Sequence, residues 1–257
     1  MTPVPILLHG ANGRMGRAVR NVIAEFPKTR LAVCVSRANS EDASGAAWMT
    51  PEDLLAKGDA AVPKDAVVID VSLAEGTERL LTWLERSPRA LVSATTGLGE
   101  EAMQRIGALA QRAPVLREVN LSLGSAVACA MFRSLSIPAK ESFEIDLLEH
   151  HHAAKKDAPS GTAILWSSLL ARDLHSVDLE PDVTKPRAPG TVRVHSVRSG
   201  TVPGTHRAIL AGAGETLEIV HTVTDRAVFA RGAIRAARFL AGKPPGLYTL
   251  EQMLEHP

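Results

Sequence analysis

Apolar residues along the chain come in short runs separated by stretches of helical spacing, the alternation from which α/β proteins are built. The pattern predicts strands over residues 5–8, 31–35, 67–70, 90–93 and 115–118, with helices over 14–26, 51–55, 75–85 and 100–112 between them. Strands rich in Val, Ile and Leu, joined by crossovers of helical length, pair in parallel and carry helices on both faces. The first 121 residues therefore read as a doubly wound parallel sheet. After Asn120 the pattern changes to a helix over 125–135, a strand over 144–148, a helix over 161–174 and three close strand-like runs at 191–197, 206–211 and 216–223. Glycine-containing turns between those runs favour antiparallel or mixed pairing, so residues 122–227 read as a second, α+β domain. An apolar-periodic helix over 228–240 ends at Gly242, Pro244 and Pro245.

Composition narrows the function classes. A chain of 257 residues, 45% hydrophobic and 22% charged, can bury a sizeable core and is not disordered. Lys and Arg total 29 against 28 acids, balanced on both sides of Leu121, which leaves no basic face for nucleic acid. Small molecules or further copies of the chain are the expected partners. The two cysteines, Cys34 and Cys129, form no metal or disulfide pattern, no apolar run approaches the roughly 18 residues that cross a bilayer, and a cytoplasmic location is expected.

The first chemical signal is PILLHGANGRMGRAV, an apolar strand leading through Gly10, Gly13 and Gly16 into an amphipathic helix. Such glycines let the backbone turn sharply and approach a pyrophosphate, whose charge meets unpaired N–H groups at the positive end of the helix dipole. A tight strand-to-helix connection is the plainer reading, but placement after the first strand of a parallel sheet favours a dinucleotide and a Rossmann-like domain. The second strand ends at Ser36-Arg37 rather than at an acid, which suits a 2′-phosphate and leans towards NADPH over NADH; Arg37 as a solvated surface residue is the alternative.

The second signal is EIDLLEHHHAAKKDAPSGTA at 144–163. Ser160 is a good N-cap, and the amides of Gly161 and Thr162 in the first helical turn form an anion site beside Lys155. His150, His151 and His152 at the strand end add groups that exchange protons near neutral pH. Strand alternation points His151 away from His150 and, if extension persists, from His152, so only part of the triplet can face one site. Consecutive histidines can ligate zinc, but this spacing matches no common zinc pattern and the adjacent lysines disfavour a cation, so no metal is expected. A polar loop ahead of a capped helix is the bland alternative.

Taken with the ATTG at 94–97, the VNLSLG at 119–124 and the RSGTVPGTH at 198–206, these motifs resemble, in order and over nearly the whole chain, those of the 4-hydroxy-tetrahydrodipicolinate (dihydrodipicolinate) reductase family of the diaminopimelate route to lysine. The resemblance implies that NAD(P)H delivers hydride to an unsaturated cyclic dicarboxylate while the protein supplies a proton. By motif position it implies His151 as acid/base, Lys155 as proton donor, and His152, Ser160, Gly161 and Thr162 as substrate-binding residues. On the cofactor side it implies Gly10, Ala11, Asn12, Gly13, Arg14, Met15, Arg37, Ala94, Thr95, Thr96, Glu118, Val119, Asn120 and Leu121. It further implies a homotetramer built through the second domain's sheet, with residues 228–257 returning to the first domain. Ser36, Ala94, Glu118, Val119 and Leu121 depart from the residues usual in the family at those places.

Two rivals stay open. Another two-domain NAD(P) dehydrogenase, acting on an amino acid or semialdehyde, shares the architecture. A semialdehyde oxidiser needs a nucleophilic Cys in a polar site, whereas Cys129 lies in an apolar helix and Cys34 in a strand. A nucleotide-sensing protein without chemistry would not need the His151, Lys155 and Gly161-Thr162 set.

Overall fold

The computed structural model describes residues 2–38, 45–135, 142–172 and 176–255, and the chain divides into two compact units, residues 1–123 with 226–257 and residues 124–225. In the first unit the strands are β1 (Val4–His9), β2 (Thr29–Val35), β3 (Ala47–Met49), β4 (Val67–Asp70), β5 (Ala90–Ser93), β6 (Pro114–Arg117) and, from the C-terminal segment, β12 (Gly246–Tyr248). They form one sheet in the order β12-β6-β5-β4-β1-β2-β3, parallel throughout. The helices of this unit are α1 (Arg14–Val22), α2 (Pro51–Ala61), α3 (Ala74–Arg86), α4 (Glu100–Ala110), α7 (Ala227–Leu240) and α8 (Leu250–Glu255).

Alternation along the strands decides which helices cover which face. Leu7, Val68, Leu91 and Val115 share one face and bury against Leu80, Leu84, Trp83 and Ile106 of α3 and α4. Ile6, Leu8, Ile69, Val92 and Leu116 point the other way and are also fully buried. On that face α7 lies over the centre of the sheet beside α1, with Ala230, Ala233, Ala236 and Ala237 inward. The strand order reverses between β1 and β4, the switch point outside which ligands of open α/β sheets bind.

The second unit is built on β7 (Glu144–His151), β8 (Ser176–Asp178), β9 (Thr191–Arg198), β10 (Gly204–Gly212) and β11 (Glu215–Val223), in the order β11-β10-β7-β9-β8. Pairing is antiparallel for β11-β10 and β10-β7 and parallel for β7-β9 and β9-β8, a mixed sheet. Helix α5 (Leu123–Ser134), which opens at the unit boundary, and α6 (Gly161–Leu170) supply Phe132 and Trp166, whose rings meet edge to face at 5.0 Å. Ile145, Leu147, Val192, Val194, Ala208 and Leu210 complete that core. Leu148, Val197, Ile209 and Val220 lie on the opposite face of the sheet, where Val220 keeps 49% of its surface exposed.

Several elements differ from the sequence expectation. β3, β8 and β12 are three-residue strands too short to show a period. Helix α2 continues past residue 55 to Ala61, because Gly58 packs against Leu54 and the Trp83 indole, and a Cβ there would lie 2.8 Å from each. Strand β7 continues past residue 148 to His151, where pairing to β9 and β10 extends it. The end of the helix expected over 161–174 falls partly outside the described residues. No helix among the described residues is long and apolar enough to cross a membrane.

Candidate active site

The glycine turn lies at the carboxyl end of β1, on the switch point. Gly10 takes φ +84°, and a Cβ on it would stand 2.9 Å from the Ser72 backbone just past β4. Gly16 lets α1 press on the turn, since a Cβ there would lie 2.2 Å from the Gly10 carbonyl. The Gly10 and Ala11 amides both donate to the Val35 carbonyl, at 3.0 and 3.1 Å, which ties the turn to β2. Gly13 is the N-cap of α1 and brings no side chain to cap it, so Arg14 and Met15 open a helix end of the kind that binds anions. Asn12 donates to the Ala38 carbonyl at 2.9 Å and fixes the loop after β2, where Ser36 and the exposed Arg37 lie.

Beneath this turn lies a polar centre that the sequence reading did not single out. Asp70, at the end of β4 and fully buried, accepts on Oδ1 from the His9 Nδ1 at 2.8 Å, the Ser72 hydroxyl at 2.7 Å and the Ser72 amide at 3.2 Å. Its Oδ2 accepts from Thr77 at 2.5 Å and Thr95 at 3.1 Å. Burial pushes the carboxyl up, but the His9 bond and charge and the Thr77 and Ser72 hydroxyls outweigh it and hold Asp70 below the usual carboxylate range. Thr95 thus turns its hydroxyl inward, while Ala94 is half-buried and Thr96 exposed. In the segment after β6, Glu118 and Val119 are half-buried. Asn120 is buried and accepts from the Ser122 amide at 3.0 Å, and Leu121 is buried with its carbonyl directly under Gly232 of α7. The signal for Asp70 was present: an acid ending an otherwise apolar strand needs partners.

In the second unit β7 points His150 to one face, where Nε2 meets the Ser199 hydroxyl at 2.7 Å, and His151 to the other. His151 is buried, with Nδ1 bonded to Oε2 of Glu149, two residues before it on the same face. Glu149 is fully buried and receives both terminal nitrogens of Arg198, at 2.6 and 2.9 Å, and the Ser160 amide at 3.2 Å. Burial raises the Glu149 carboxyl, yet His151, Arg198 and Ser196 together bring it down to about 2. Ser160 caps α6 by accepting from the Ala163 amide at 3.2 Å and meets His206 Nε2 at 2.9 Å, so its hydroxyl belongs to the framework. Burial first, then the neighbouring His151, push His206 down to about 3, and Glu149 opposes them only in part.

Lys155 is largely covered and donates to both carboxylate oxygens of Asp157, at 2.8 and 2.7 Å. His152 is half-buried just past the strand, its amide on the Val202 carbonyl at 2.8 Å, and Gly161 and Thr162 open α6. Ligand atoms of Glu149, His151 and His206 lie within 4.8 Å of one another, but Arg198 occupies both Glu149 oxygens and the His206 Nε2 meets Ser160. A cation would have to displace the guanidinium, so the cluster is a hydrogen-bond network. Arg198 and His206 begin and end the 198–206 motif, and the pairing of β9 and β10 with β7 is what brings them to Glu149 and Ser160.

A family description reading "Dihydrodipicolinate reductase, N-terminus" matches residues 4–121, and its C-terminal counterpart matches 124–254. The chain belongs to the dihydrodipicolinate reductase family. Among curated relatives, the 4-hydroxy-tetrahydrodipicolinate reductase of Caldanaerobacter subterraneus subsp. tengcongensis is 32% identical over 98% of both chains. That of Stenotrophomonas maltophilia strain K279a is 35% identical over 99% of both. Among solved structures, the dipicolinate-bound dihydrodipicolinate reductase of Paenisporosarcina sp. TG-14 superimposes with a TM-score of 0.76 at 18% identity, covering 98% of this chain and 99% of that one.

Proposed function

We propose that this family member catalyses the reduction of 4-hydroxy-tetrahydrodipicolinate to tetrahydrodipicolinate with NAD(P)H. The observation that carries the reading is the presence, in one chain matched end to end by this family, of an uncapped glycine turn at the switch point and of His151 and Lys155 ahead of the α6 start. The turn fits a dinucleotide, because Gly10 and Gly16 let it pack tightly against the Ser72 backbone and α1, and no side chain caps the α1 amides. When bound, the reduced nicotinamide supplies the hydride. Gly10 to Met15 would hold the pyrophosphate, Arg37 the adenosine ribose end, and the backbone of 94–96 and 118–121 the rest.

In this reading Lys155 and the Gly161 and Thr162 amides bind a dianion, with His152 beside them. Exchange of the substrate hydroxyl for hydride releases hydroxide, so one proton must accompany it to leave as water. Lys155 is the donor of a proton and His151 the group that exchanges protons with the ring. Asp157 holds the ammonium until a substrate carboxylate competes for it. Exposed Val197 and Val220 on the open face of the second unit's sheet support assembly through that face into a homotetramer, and two buried free cysteines suit a cytoplasmic location.

The test is steady-state NADPH oxidation with substrate generated in place from pyruvate and aspartate semialdehyde. Lys155→Ala is expected to lower kcat by about 100-fold or more, the usual range for a lost general acid, while NADPH affinity holds. Cofactor binding without turnover in the wild-type chain would favour a nucleotide sensor instead.

A further inference from the structure

The structure assigns Glu149 as the positioning residue of His151, with Arg198 as the clamp that holds Glu149 in place. The inference rests on His151 being the group that exchanges protons with the ring. Glu149 and His151 lie two apart on β7, the strand period, so both face the α5/α6 side of the sheet and the carboxylate reaches the Nδ1 of its own strand neighbour. A carboxylate there can only accept, so it selects the tautomer with the proton on Nδ1 and leaves Nε2 to exchange protons. Nε2 borders Gly204 at the start of β10, where a Cβ would stand 2.9 Å from it. Glycine is therefore required for the ring to occupy this orientation.

An unbalanced buried carboxylate would overstabilise the imidazolium and spoil the exchange. Arg198 limits that effect: its two-nitrogen grip neutralises Glu149, and the same guanidinium donates to the Asp157 carbonyl at 2.5 Å. Asp157 in turn holds Lys155. One buried pair thus fixes the His151 ring and, through the Asp157 backbone, the loop that carries Lys155. The titratable and charged groups around His151 are Glu149 on its own strand, Arg198 from β9 and His206 from β10, whose ring lies 5.2 Å away; Lys155 and His221 act on His206 in turn.

Two measurements test this separately from the overall reaction. In wild-type protein, ¹⁵N shifts of the His151 ring are expected to report a proton on Nδ1 in the neutral form; a proton on Nε2 overturns the proposal whatever the enzyme does. In Glu149→Gln, kcat is expected to fall about 10- to 100-fold with the NADPH Kd within twofold. One limb of the pH–rate profile should move to lower pH, as expected when a negative charge beside the exchanging group is lost. Glu149→Asp, which keeps the charge, should bring that limb back towards the wild-type position. A limb and kcat unchanged in Glu149→Gln overturn the assignment, even if His151→Ala is inactive and the reductase reading stands. Should Glu149→Gln fail to fold, Arg198→Lys decides. It keeps the charge but loses the two-nitrogen grip, so a lowered kcat with intact NADPH binding supports the clamp and an unchanged kcat contradicts it.

Discussion

Removing the Asp70 carboxylate separates a framework role from an incidental one. Five donors converge on it, and they are not equally able to find other partners. The Ser72 and Thr77 hydroxyls already stand 3.2 and 3.4 Å from the Leu73 carbonyl and can turn to it. The His9 ring N–H and the Ser72 amide cannot rotate away, and each buried donor left unpaired costs about 1–3 kcal/mol. Asp70→Ala is therefore expected to destabilise the first unit by about 2–6 kcal/mol. At roughly 2–4 °C per kcal/mol for a unit of this size, the midpoint should fall by about 8–16 °C for a mid-range loss. Asp70→Asn keeps one carbonyl oxygen for the two fixed donors, and its NH₂ can donate to hydroxyls that turn round. Its cost should be about 1–2 kcal/mol, chiefly the difference between charged and neutral hydrogen bonds. Thermal unfolding followed by circular dichroism, with NADPH titrated in parallel, reads both effects. Because Thr95 is tethered to Asp70, NADPH should also bind more weakly to Asp70→Ala. A midpoint within 2 °C of wild type for Asp70→Ala, or equal losses for Ala and Asn, would refute this reasoning.

Gly204→Ala places a methyl 2.9 Å from His151 Nε2 and 3.2 Å from Cδ2, so the ring must leave its bond to Glu149. With about 1.5–3 kcal/mol in that charged hydrogen bond, kcat should fall about 10- to 100-fold while NADPH binding holds, and a twofold change or less would count against the packing argument. Acid stability follows from groups held below their ordinary values, Asp70 and His221 among them; His206 and Glu149 are shifted by large amounts. His206, about 3 when folded and 6.5 when free, stays neutral in the folded chain while the unfolded chain takes up a proton, so stability falls as pH drops below about 6.5. Glu149, about 2 against 4.5, adds a second loss below about 4.5. Urea titrations at stepped pH should show both slopes, and His206→Gln should shrink the upper one, leaving the share of His221, which burial also holds down. If Arg37 meets a 2′-phosphate, Arg37→Ala should lower kcat/KM for NADPH about tenfold and leave NADH unchanged; equal losses for both cofactors would place Arg37 elsewhere.

How much was legible in the sequence depended on the range of the interaction. β4 and β5 span the residues expected of them because Val67 to Asp70 and Ala90 to Ser93 are unbroken apolar runs closed by polar residues. The glycine turn and the Ser160 cap were readable because each is a local backbone device with its own residue types. Short strands such as β3 and β12 exist only through their neighbours in the sheet and leave no local period. The same holds for the sites. His151 and Lys155 stand out in a dense local motif, whereas Arg198 and His206 reach Glu149 and Ser160 across 49 and 46 positions of chain, through pairings that local sequence does not encode. Asp70 closes an apolar strand, and only its burial, with partners from His9 to Thr95 across the chain, makes it the anchor of His9, Ser72, Thr77 and Thr95.

The most direct test of the functional account follows the hydrogen itself. NADPH carrying deuterium at C4 on the transferred face is supplied with substrate formed from pyruvate and aspartate semialdehyde, and the product is weighed by mass spectrometry. The account predicts tetrahydrodipicolinate heavier by one mass unit, formed by wild-type protein and about 100-fold or more slowly by Lys155→Ala. An unlabelled product, or no cofactor oxidation by wild-type protein with all components present, would contradict it.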